Sequence, residues 1–375
     1  MSEIVRTVRA EEREQFFCFL ERCYGHGRGF FERVYPDRCR PEEDATRTLL
    51  VIEKDGRIVS HVGVFEMEVV VGPARFRCGG IGAVATLPEE RGKGYMSRLM
   101  EEAVQRMRDW GWPLSVLWGD RQRYSSFGYE TAGVLHILRV TRRTMGWQAL
   151  HPAPVEERDP RDPAAVEFVR QVHATMEYRV ERPWLDLQLL RPQVRLFTGP
   201  DGYLLSRREV AGDLAGVEVV SPTGREAELI LGALDITFGN AADVELPASS
   251  ACLHRLARVM DHYWQVRPQG MFRIVDWPAL LTALAPWFAQ RAATVGVPAF
   301  STVIGCRWKQ EVQWAHVTWD GQDLGVEKVT CPGIEVEARE LAGLLLGGPH
   351  GDPACLGPLG MLLPVPVHMP SLDHV

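Results

Sequence analysis

Apolar and polar residues alternate most regularly between residues 95 and 110. The apolar residues there recur at intervals of three and four and would share one face of a helix: Met96, Leu99, Met100, Ala103, Val104 and Met107. Gly111 follows at a helix-ending position, and Pro113 prevents the helix from resuming. A β-branched run over 81–86 precedes this helix and an apolar run over 114–118 follows it. The pattern therefore predicts strand, turn, helix and strand.

The turn before this helix, residues 91–94 (Arg-Gly-Lys-Gly), has the composition of an anion site. A helix N-terminus presents four unpaired backbone N–H groups and a partial positive charge. Gly92 and Gly94 would let a phosphate approach the backbone, and Arg91 and Lys93 add positive charge. The turn is neither a P-loop nor a dinucleotide-binding GxGxxG motif, because Lys93 is followed by Gly94 and no third glycine comes next. We therefore predict a phosphate or pyrophosphate ligand.

The remaining pattern predicts a mixed α+β and α/β fold in three parts. In the first part the predicted order is β-α-α-β-β-β-α-β, and a strand over 134–140 is expected to complete it. The second part includes a predicted helix over 249–265. The third ends in an apolar, Pro-rich tail, which we expect to dock in an extended form because solvated tails are usually polar. The predicted domain limits are 1–145, 146–270 and 271–375.

Composition restricts the classes of function. Of the 375 residues, 46% are hydrophobic and 24% charged, as in soluble globular proteins, and no apolar run is long enough to span a membrane. The net charge of −7 argues against nucleic acid as the main partner and is compatible with a cationic substrate. The eight cysteines form no CxxC pair, and no His/Cys/Asp cluster has metal spacing. The first residues also lack the apolar stretch of a signal peptide. We expect no metal and a reducing, cytoplasmic location.

The stretch from Arg91 to Met96 resembles motif A of the GNAT acetyltransferases, Gln/Arg-x-x-Gly-x-Gly/Ala, which holds the pyrophosphate of acetyl-CoA. Over the whole chain the sequence is similar to the enhanced intracellular survival (Eis) family of N-acetyltransferases. This resemblance rests on the motif 84–94, the loop 124–129 (Tyr-Ser-Ser-Phe-Gly-Tyr), the stretch 273–278 and the tail that ends at Val375. It implies a working GNAT domain, a second, degenerate GNAT domain, and a sterol-carrier-protein-like domain whose tail reaches the active site. It also implies hexamers.

The resemblance assigns the site residues. Tyr124 would be the general acid, and the carboxylate of Val375 the base. A phenol with a pKa of about 10 is protonated at pH 7 and can donate to a thiolate, whereas an α-carboxylate is a weak base and could equally orient and attract a cationic amine. In GNAT folds a loop like that of Phe30 and Phe31 covers the substrate entrance, although packing alone would also explain these aromatics. The residues expected to bind acetyl-CoA are Val84, Ala85, Thr86, Arg91, Gly92, Lys93, Gly94, Tyr95, Met96, Ser97, Gly119 and Asp120.

The expected function is transfer of an acetyl group from acetyl-CoA to a primary amine of a cationic small molecule, such as an aminoglycoside, or of lysine. Polyamines and peptide N-termini are further acceptors that the sequence leaves open. The alternative is a non-catalytic CoA- or lipid-binding sensor, and the presence of Arg91, Gly94 and Tyr124 argues against it.

Overall fold

A computed structural model describes residues 3–40, 47–248, 250–349 and 351–375. The fold is mixed α/β and contains several sheets, whose strands and helices we number in chain order. The first sheet has the spatial order β1-β2-β3-β4-β5-β16-β6, with β9 paired to β3. Its strands are β1 (Glu3–Thr7), β2 (Leu49–Lys54), β3 (Arg57–Val71), β4 (Ala74–Thr86), β5 (Leu114–Leu117), β6 (Glu130–Ala132), β9 (Tyr178–Val180) and β16 (Gly270–Ile274).

The helices associated with this sheet are α1 (Arg13–Tyr24), α2 (Phe30–Val34), α3 (Tyr95–Asp109) and α4 (Arg121–Tyr124). Helix α3 is the one that the apolar spacing predicts. Its residues Leu99, Met100, Ala103 and Met107 are fully buried, and Gly111 adopts the left-handed conformation (φ 71°) just after its end. Strands β4 and β5 are parallel and α3 connects them, so the predicted strand, turn, helix and strand are confirmed.

The second sheet has the order β15-β7-β14-β13-β11-β10-β8, with β12 paired to β13. Its strands are β7 (Leu135–Thr141), β8 (Glu156–Arg158), β10 (Arg195–Thr198), β11 (Tyr203–Ser206), β12 (Arg208–Val210), β13 (Asp213–Val220), β14 (Ala241–Pro247) and β15 (Met260–Arg267). The helices in this part of the sequence are α5 (Arg142–Trp147), α6 (Pro163–His173), α7 (Leu185–Leu189), α8 (Glu226–Thr237) and α9 (Ala251–Leu256). The parallel strands β13 and β14, connected by α8, repeat the arrangement of β4, α3 and β5.

The third sheet has the order β19-β18-β17-β20. Its strands are β17 (Phe300–Trp308), β18 (Glu311–Trp319), β19 (Leu324–Val329) and β20 (Ile334–Glu337), and its helices are α10 (Trp277–Val295) and α11 (Ala338–Leu346). Side chains of α10 and α11 share a buried core with one face of the first sheet, while α1 and α3 cover the other face. The first sheet is therefore enclosed on both sides.

The first and second sheets exchange strands. Strand β7 follows β6 in the chain but lies in the second sheet between β14 and β15. Strand β16 follows β15 in the chain but lies in the first sheet between β5 and β6. The prediction that residues 134–140 complete the first part is therefore wrong, because those residues pair with the second sheet. The domain limits themselves stay a prediction.

The prediction of one helix over residues 249–265 is also wrong. Residue 249 lies outside the described residues, α9 ends at Leu256, and the chain then forms β15 at the edge of the second sheet. Pairing with β7 supplies backbone hydrogen bonds to this stretch and outweighs its local helical pattern.

Candidate active site

Strand β4 pairs with β5 over only the first part of its length. Its parallel pairing with β5 ends at Ile81 and Leu117, although β4 continues to Thr86. On the other side the register with β3 shifts, and Ala83 adopts a left-handed conformation with φ 51°. Residues 82–86 therefore present an edge of β4 that β5 does not cover. An extended ligand arm could pair with such an edge as a strand would.

The turn between β4 and α3 has the geometry of a phosphate loop. Gly92 and Gly94 both adopt left-handed conformations, with φ 78° and 77°, which glycine reaches without strain. Gly94 is the N-cap of α3, and no side chain among the described residues caps the helix, so its first N–H groups are available to an anion.

A cavity of 540 Å³ lies over this turn and the edge of β4. It brings together ten of the twelve residues predicted to bind acetyl-CoA: Val84, Ala85, Thr86, Arg91, Gly92, Lys93, Gly94, Tyr95, Met96 and Ser97. The same lining includes Cys23, Tyr24, Glu90 and Arg123, which the sequence analysis did not single out. We call this space the cofactor cavity. The residues present fit a pyrophosphate with a strand-like arm.

Side chains around the turn differ in what they offer to a ligand. Tyr95 is buried and its hydroxyl donates to Glu3, so Tyr95 presents its backbone to the cavity. The ammonium group of Lys93 lies 2.7 Å from Glu90, which also binds Lys54 at 3.0 Å. The Nε atom of Arg91 donates to the carbonyl of Thr86 over 3.3 Å. A phosphate that binds here would compete with Glu90 for Lys93.

A second cavity, of 300 Å³, adjoins the first. Tyr24 and Val84 line both cavities, and the hydroxyl of Tyr24 donates to the carbonyl of Val84 over 2.9 Å. Tyr124 and Val375, the two predicted catalytic residues, both line the second cavity. We call it the acceptor cavity, because it meets the cofactor cavity at the edge of β4.

Tyr124 is placed by the short helix α4. Asp120 caps this helix by accepting a hydrogen bond from the backbone of Gln122 over 2.9 Å. A Cβ atom on Gly119 would lie 2.5 Å from the ring of Tyr124, so the glycine makes room for that ring. Burial raises the pKa of Tyr124 above its ordinary value, and the phenol stays protonated at neutral pH.

Gly119 and Asp120 do not belong to the lining of the cofactor cavity described above. The structure gives them a local role, which is to shape and cap the segment that carries Tyr124. Their predicted contact with acetyl-CoA stays a prediction.

The carboxyl-terminal residue lies directly on β4. A Cβ atom on Gly82 would be 2.8 Å from the carboxyl carbon of Val375, and one on Gly80 would be 2.8 Å from a Val375 methyl group. The ring of His374 stacks on Trp118 with 4.0 Å between their centroids. The absence of side chains at Gly80 and Gly82 therefore creates the seat for the end of the chain.

A buried ionic cluster fixes the tail just before its end. Asp373 accepts two hydrogen bonds from Arg182, each of 2.9 Å, and Arg182 also binds both oxygens of Glu218. Although burial opposes it, the charge of Arg182 lowers the pKa of Glu218 to about 2. Arg191 donates to the carbonyl of Leu372 over 2.9 Å and binds both oxygens of Asp37. The tail is thus tied to residues far away in the sequence.

Gln269 holds the tail at residues 367–369 by two hydrogen bonds. Its side-chain amide donates to the carbonyl of Val367 over 2.6 Å and accepts from the backbone N–H of Met369 over 2.6 Å. The carbonyl of Gln269 accepts from the indole of Trp118, also over 2.6 Å. The prediction that the apolar tail docks is confirmed, since residues 365–370 are all buried.

Comparisons with known proteins agree with this geometry. A family model of the acetyltransferase (GNAT) domain matches residues 4–132. The chain carries a GNAT-type domain. An uncharacterized N-acetyltransferase of Streptomyces coelicolor is 29% identical over 132 residues, which are 34% of this chain and 32% of that protein. The match thus spans about a third of the length of this curated relative.

The GNAT-type domain lies within a larger shared architecture. A GCN5-related N-acetyltransferase from Kribbella flavida superposes with a TM-score of 0.73 at 18% identity, covering 100% of this chain and 98% of that one. Eis1 from Mycobacterium abscessus superposes with a TM-score of 0.64 at 16% identity, covering 92% of this chain and 90% of that one. At such identities the likeness shows the fold alone.

Among the residues that the structure describes, no group of three or more His, Cys, Asp or Glu side chains could hold a metal ion. Within the same ranges, no helix is both long and apolar enough to cross a membrane.

Proposed function

We propose that this protein is an acetyl-CoA-dependent N-acetyltransferase that acts on a primary amine. One observation carries the proposal: a cavity built around a phosphate loop meets, at Val84 and Tyr24, a second cavity that holds Tyr124 and the chain terminus. Acetyl-CoA would supply an activated acetyl thioester at that junction. A hexameric assembly, a sterol-carrier-like third domain and a cytoplasmic location stay predictions, as do aminoglycosides or lysine as acceptors.

Three parts of the chain would each carry out one step of the proposed transfer. The backbone at residues 84–86 would pair with the pantetheine arm, and an N–H group there would donate to the thioester carbonyl as negative charge develops on its oxygen. Tyr124 would give its proton to the sulfur as the C–S bond breaks. The Val375 carboxylate would take up, directly or through a water, the proton that the amine loses as the C–N bond forms. The transfer is then balanced in atoms and charge.

The decisive experiment compares Tyr124→Phe with the unchanged chain. Turnover is followed as free thiol released from acetyl-CoA over a panel of amines, and CoA affinity is measured separately by calorimetry. Because the phenol is the proton donor, we expect kcat to fall about 100-fold or more while CoA still binds. Tyr263→Phe is the matched control, since Tyr263 is 40% exposed on β15 and lines neither cavity described above.

The outcomes separate the candidate functions. Equal turnover by Tyr124→Phe and the unchanged chain would remove Tyr124 from the mechanism. Binding of CoA without turnover of any amine would favour the sensor function and overturn the proposal.

A further inference from the structure

The described lining of the acceptor cavity carries more positive than negative charge. Its described lining includes the side chains of Arg13, Arg38 and Arg40 but no Asp or Glu side chain. Residues 41–46 lie outside the described part of the chain. The carboxylate that the lining does contain is that of the terminus at Val375. Among the described lining residues, arginines outnumber carboxylates, which favours a ligand that carries a carboxylate as well as an amine.

Arg38 is the arginine with spare hydrogen-bonding capacity. Arg13 donates to the backbone carbonyls of Arg40 and Cys39, and the guanidinium of Arg40 lies 3.8 Å over the ring of Trp184. By contrast, within the described part of the chain Arg38 makes one long hydrogen bond, of 3.4 Å, from Nη2 to the carbonyl of Asp373. Its Nε atom is buried without a hydrogen-bond partner among the described residues.

Arg38 shares its nearest carboxylate with a second arginine. Its Nε atom lies 3.2 Å from Asp37, but both oxygens of Asp37 are already bound by Arg191. Two guanidinium groups therefore share this carboxylate, and the charge of Asp373 also acts on Arg38. Burial lowers the pKa of Arg38 to about 10, and the group remains charged at neutral pH. A mostly buried guanidinium whose Nε–H has no hydrogen-bond partner among the described residues can bind a ligand carboxylate.

Aromatic rings form the rest of the wall. Phe65 lies beneath Arg38, with its centroid 5.3 Å from the guanidinium carbon. His26 stacks on Phe30 at 3.6 Å, and Phe30 meets Phe31 edge-on at 5.4 Å. These rings line the same cavity and offer apolar surface to a ligand side chain. Its 300 Å³ suits a small molecule.

From this arrangement we infer that the acceptor is an amine that also bears a carboxylate and an apolar side chain, in the manner of an aromatic or aliphatic amino acid. Arg38 binds its carboxylate, the aromatic rings receive its side chain, and its amino group faces Val375 and the thioester. The acetyl group leaves the sulfur of CoA and forms an amide with that amino group, giving free CoA. The inference rests on the proposed function and names its substrate class.

The test uses the full chain and ligands that differ in one group. Phenylalanine, phenylalaninamide and phenethylamine share a ring and an amine, but phenylalanine alone has the carboxylate. Spermidine serves as the polycation. The value of kcat/KM is compared per concentration of neutral amine, which removes differences in amine pKa. We expect phenylalanine to exceed phenethylamine and phenylalaninamide about 10- to 100-fold, and spermidine to be poorest.

Arg38→Gln should bring the phenylalanine-to-phenethylamine ratio close to one while phenethylamine turnover persists, which shows that the site still folds. Arg38→Lys should restore part of the preference, because the charge returns without the planar fork. Arg33→Gln is the matched control, since Arg33 is an exposed arginine of α2 outside the cavity lining.

A phenylalanine-to-phenethylamine ratio near one in the unchanged chain, or a ratio that Arg38→Gln leaves intact, overturns the inference but not acetyl transfer itself. Preferential turnover of spermidine would also overturn the inference without contradicting acetyl transfer. The absence of turnover with every amine, while CoA binds, overturns both the proposed function and the substrate class.

Discussion

At the scale of single residues, two glycines of β4 affect the site because they have no side chain. Gly80 and Gly82 have no left-handed backbone, so their role is not conformational. Their missing side chains leave the space in which Val375 lies, next to the edge where the thioester is expected. A methyl group at Gly82 would occupy the place of the terminal carboxylate.

Gly82→Ala is expected to displace the terminus and to lower kcat/KM for the amine about 100-fold, the order that a misplacement of 1 Å costs a catalytic group. Affinity for CoA should change little, because the phosphate loop is untouched. Steady-state kinetics and CoA titration measure the two effects. Gly146→Ala is the control, since a Cβ there meets nothing within 4 Å. Unchanged kinetics in Gly82→Ala would show that the carboxylate position does not matter.

Residue roles differ in how far the sequence could reveal them. The spacing of Arg91, Gly92 and Gly94 before an amphipathic helix is sufficient to predict the turn and the helix that the structure shows, and phosphate binding there stays a prediction. Arg38 and Tyr24 carry no comparable signal, because each becomes part of the site only through folding. Arg182 and Asp373 stand 191 positions apart, and nothing local indicates that they meet.

At the scale of elements, the tail from Leu363 to Val375 behaves as a part of the core. Its apolar residues and its prolines predicted that it would dock, but not where it docks. Polar groups determine the place: Gln269 holds its middle, and Arg182 and Arg191 hold its end. The tail therefore links the ionic core beside the second sheet to the acceptor cavity of the first.

Buried histidines make this docking sensitive to acid. Burial lowers the pKa of His368 to about 4 and that of His374 to about 3. Burial also lowers the pKa of His61, at the acceptor cavity, to about 4. The unfolded chain takes up these protons near pH 6.5, but the folded chain does not. The stability they contribute is therefore complete above pH 6.5 and is lost as the pH falls toward 4. At pH 5 the loss is on the order of 2 kcal/mol for each histidine.

We expect the midpoint of thermal unfolding to fall by several degrees between pH 7 and pH 5, followed by circular dichroism. His374→Gln should flatten part of this dependence, because it removes one of the buried imidazoles. His262→Gln should leave the curve unchanged, since the His262 side chain is 90% exposed. A midpoint that stays constant over this range would contradict the account.

At the scale of the whole molecule, the exchange of β7 and β16 joins the first two sheets. A cut in the exposed stretch at residues 148–152 would leave β7 with the first half and β16 with the second. Each half would then hold a strand that belongs to the other half's sheet. The sequence could not predict this, because β7 follows β6 directly and a local hairpin is the simpler continuation.

A protease site inserted at residue 150 tests the exchange. After cleavage, the two halves should elute together in gel filtration, keep the proposed acetyl-transfer activity, and separate only in denaturant. A site inserted near residue 310, in the turn between β17 and β18, is the control for cleavage itself. If the halves produced by cleavage at residue 150 separated in native buffer, the strand exchange would be contradicted.

The exchanged strands also bear on how such a chain can change over generations. The second sheet has no Arg-x-x-Gly sequence before α8 and so lacks the phosphate loop of the first. A deletion that removed this inactive-looking half would also remove Arg182, Glu218 and the route to β16. The connection that carries the chain to β16, between β5 and β6 of the first sheet, and the anchor of the terminus at Arg182 would be lost in the same event. If the proposed acetyl transfer is under selection, that selection is thus enough to preserve the second sheet, although this sheet lacks such a loop.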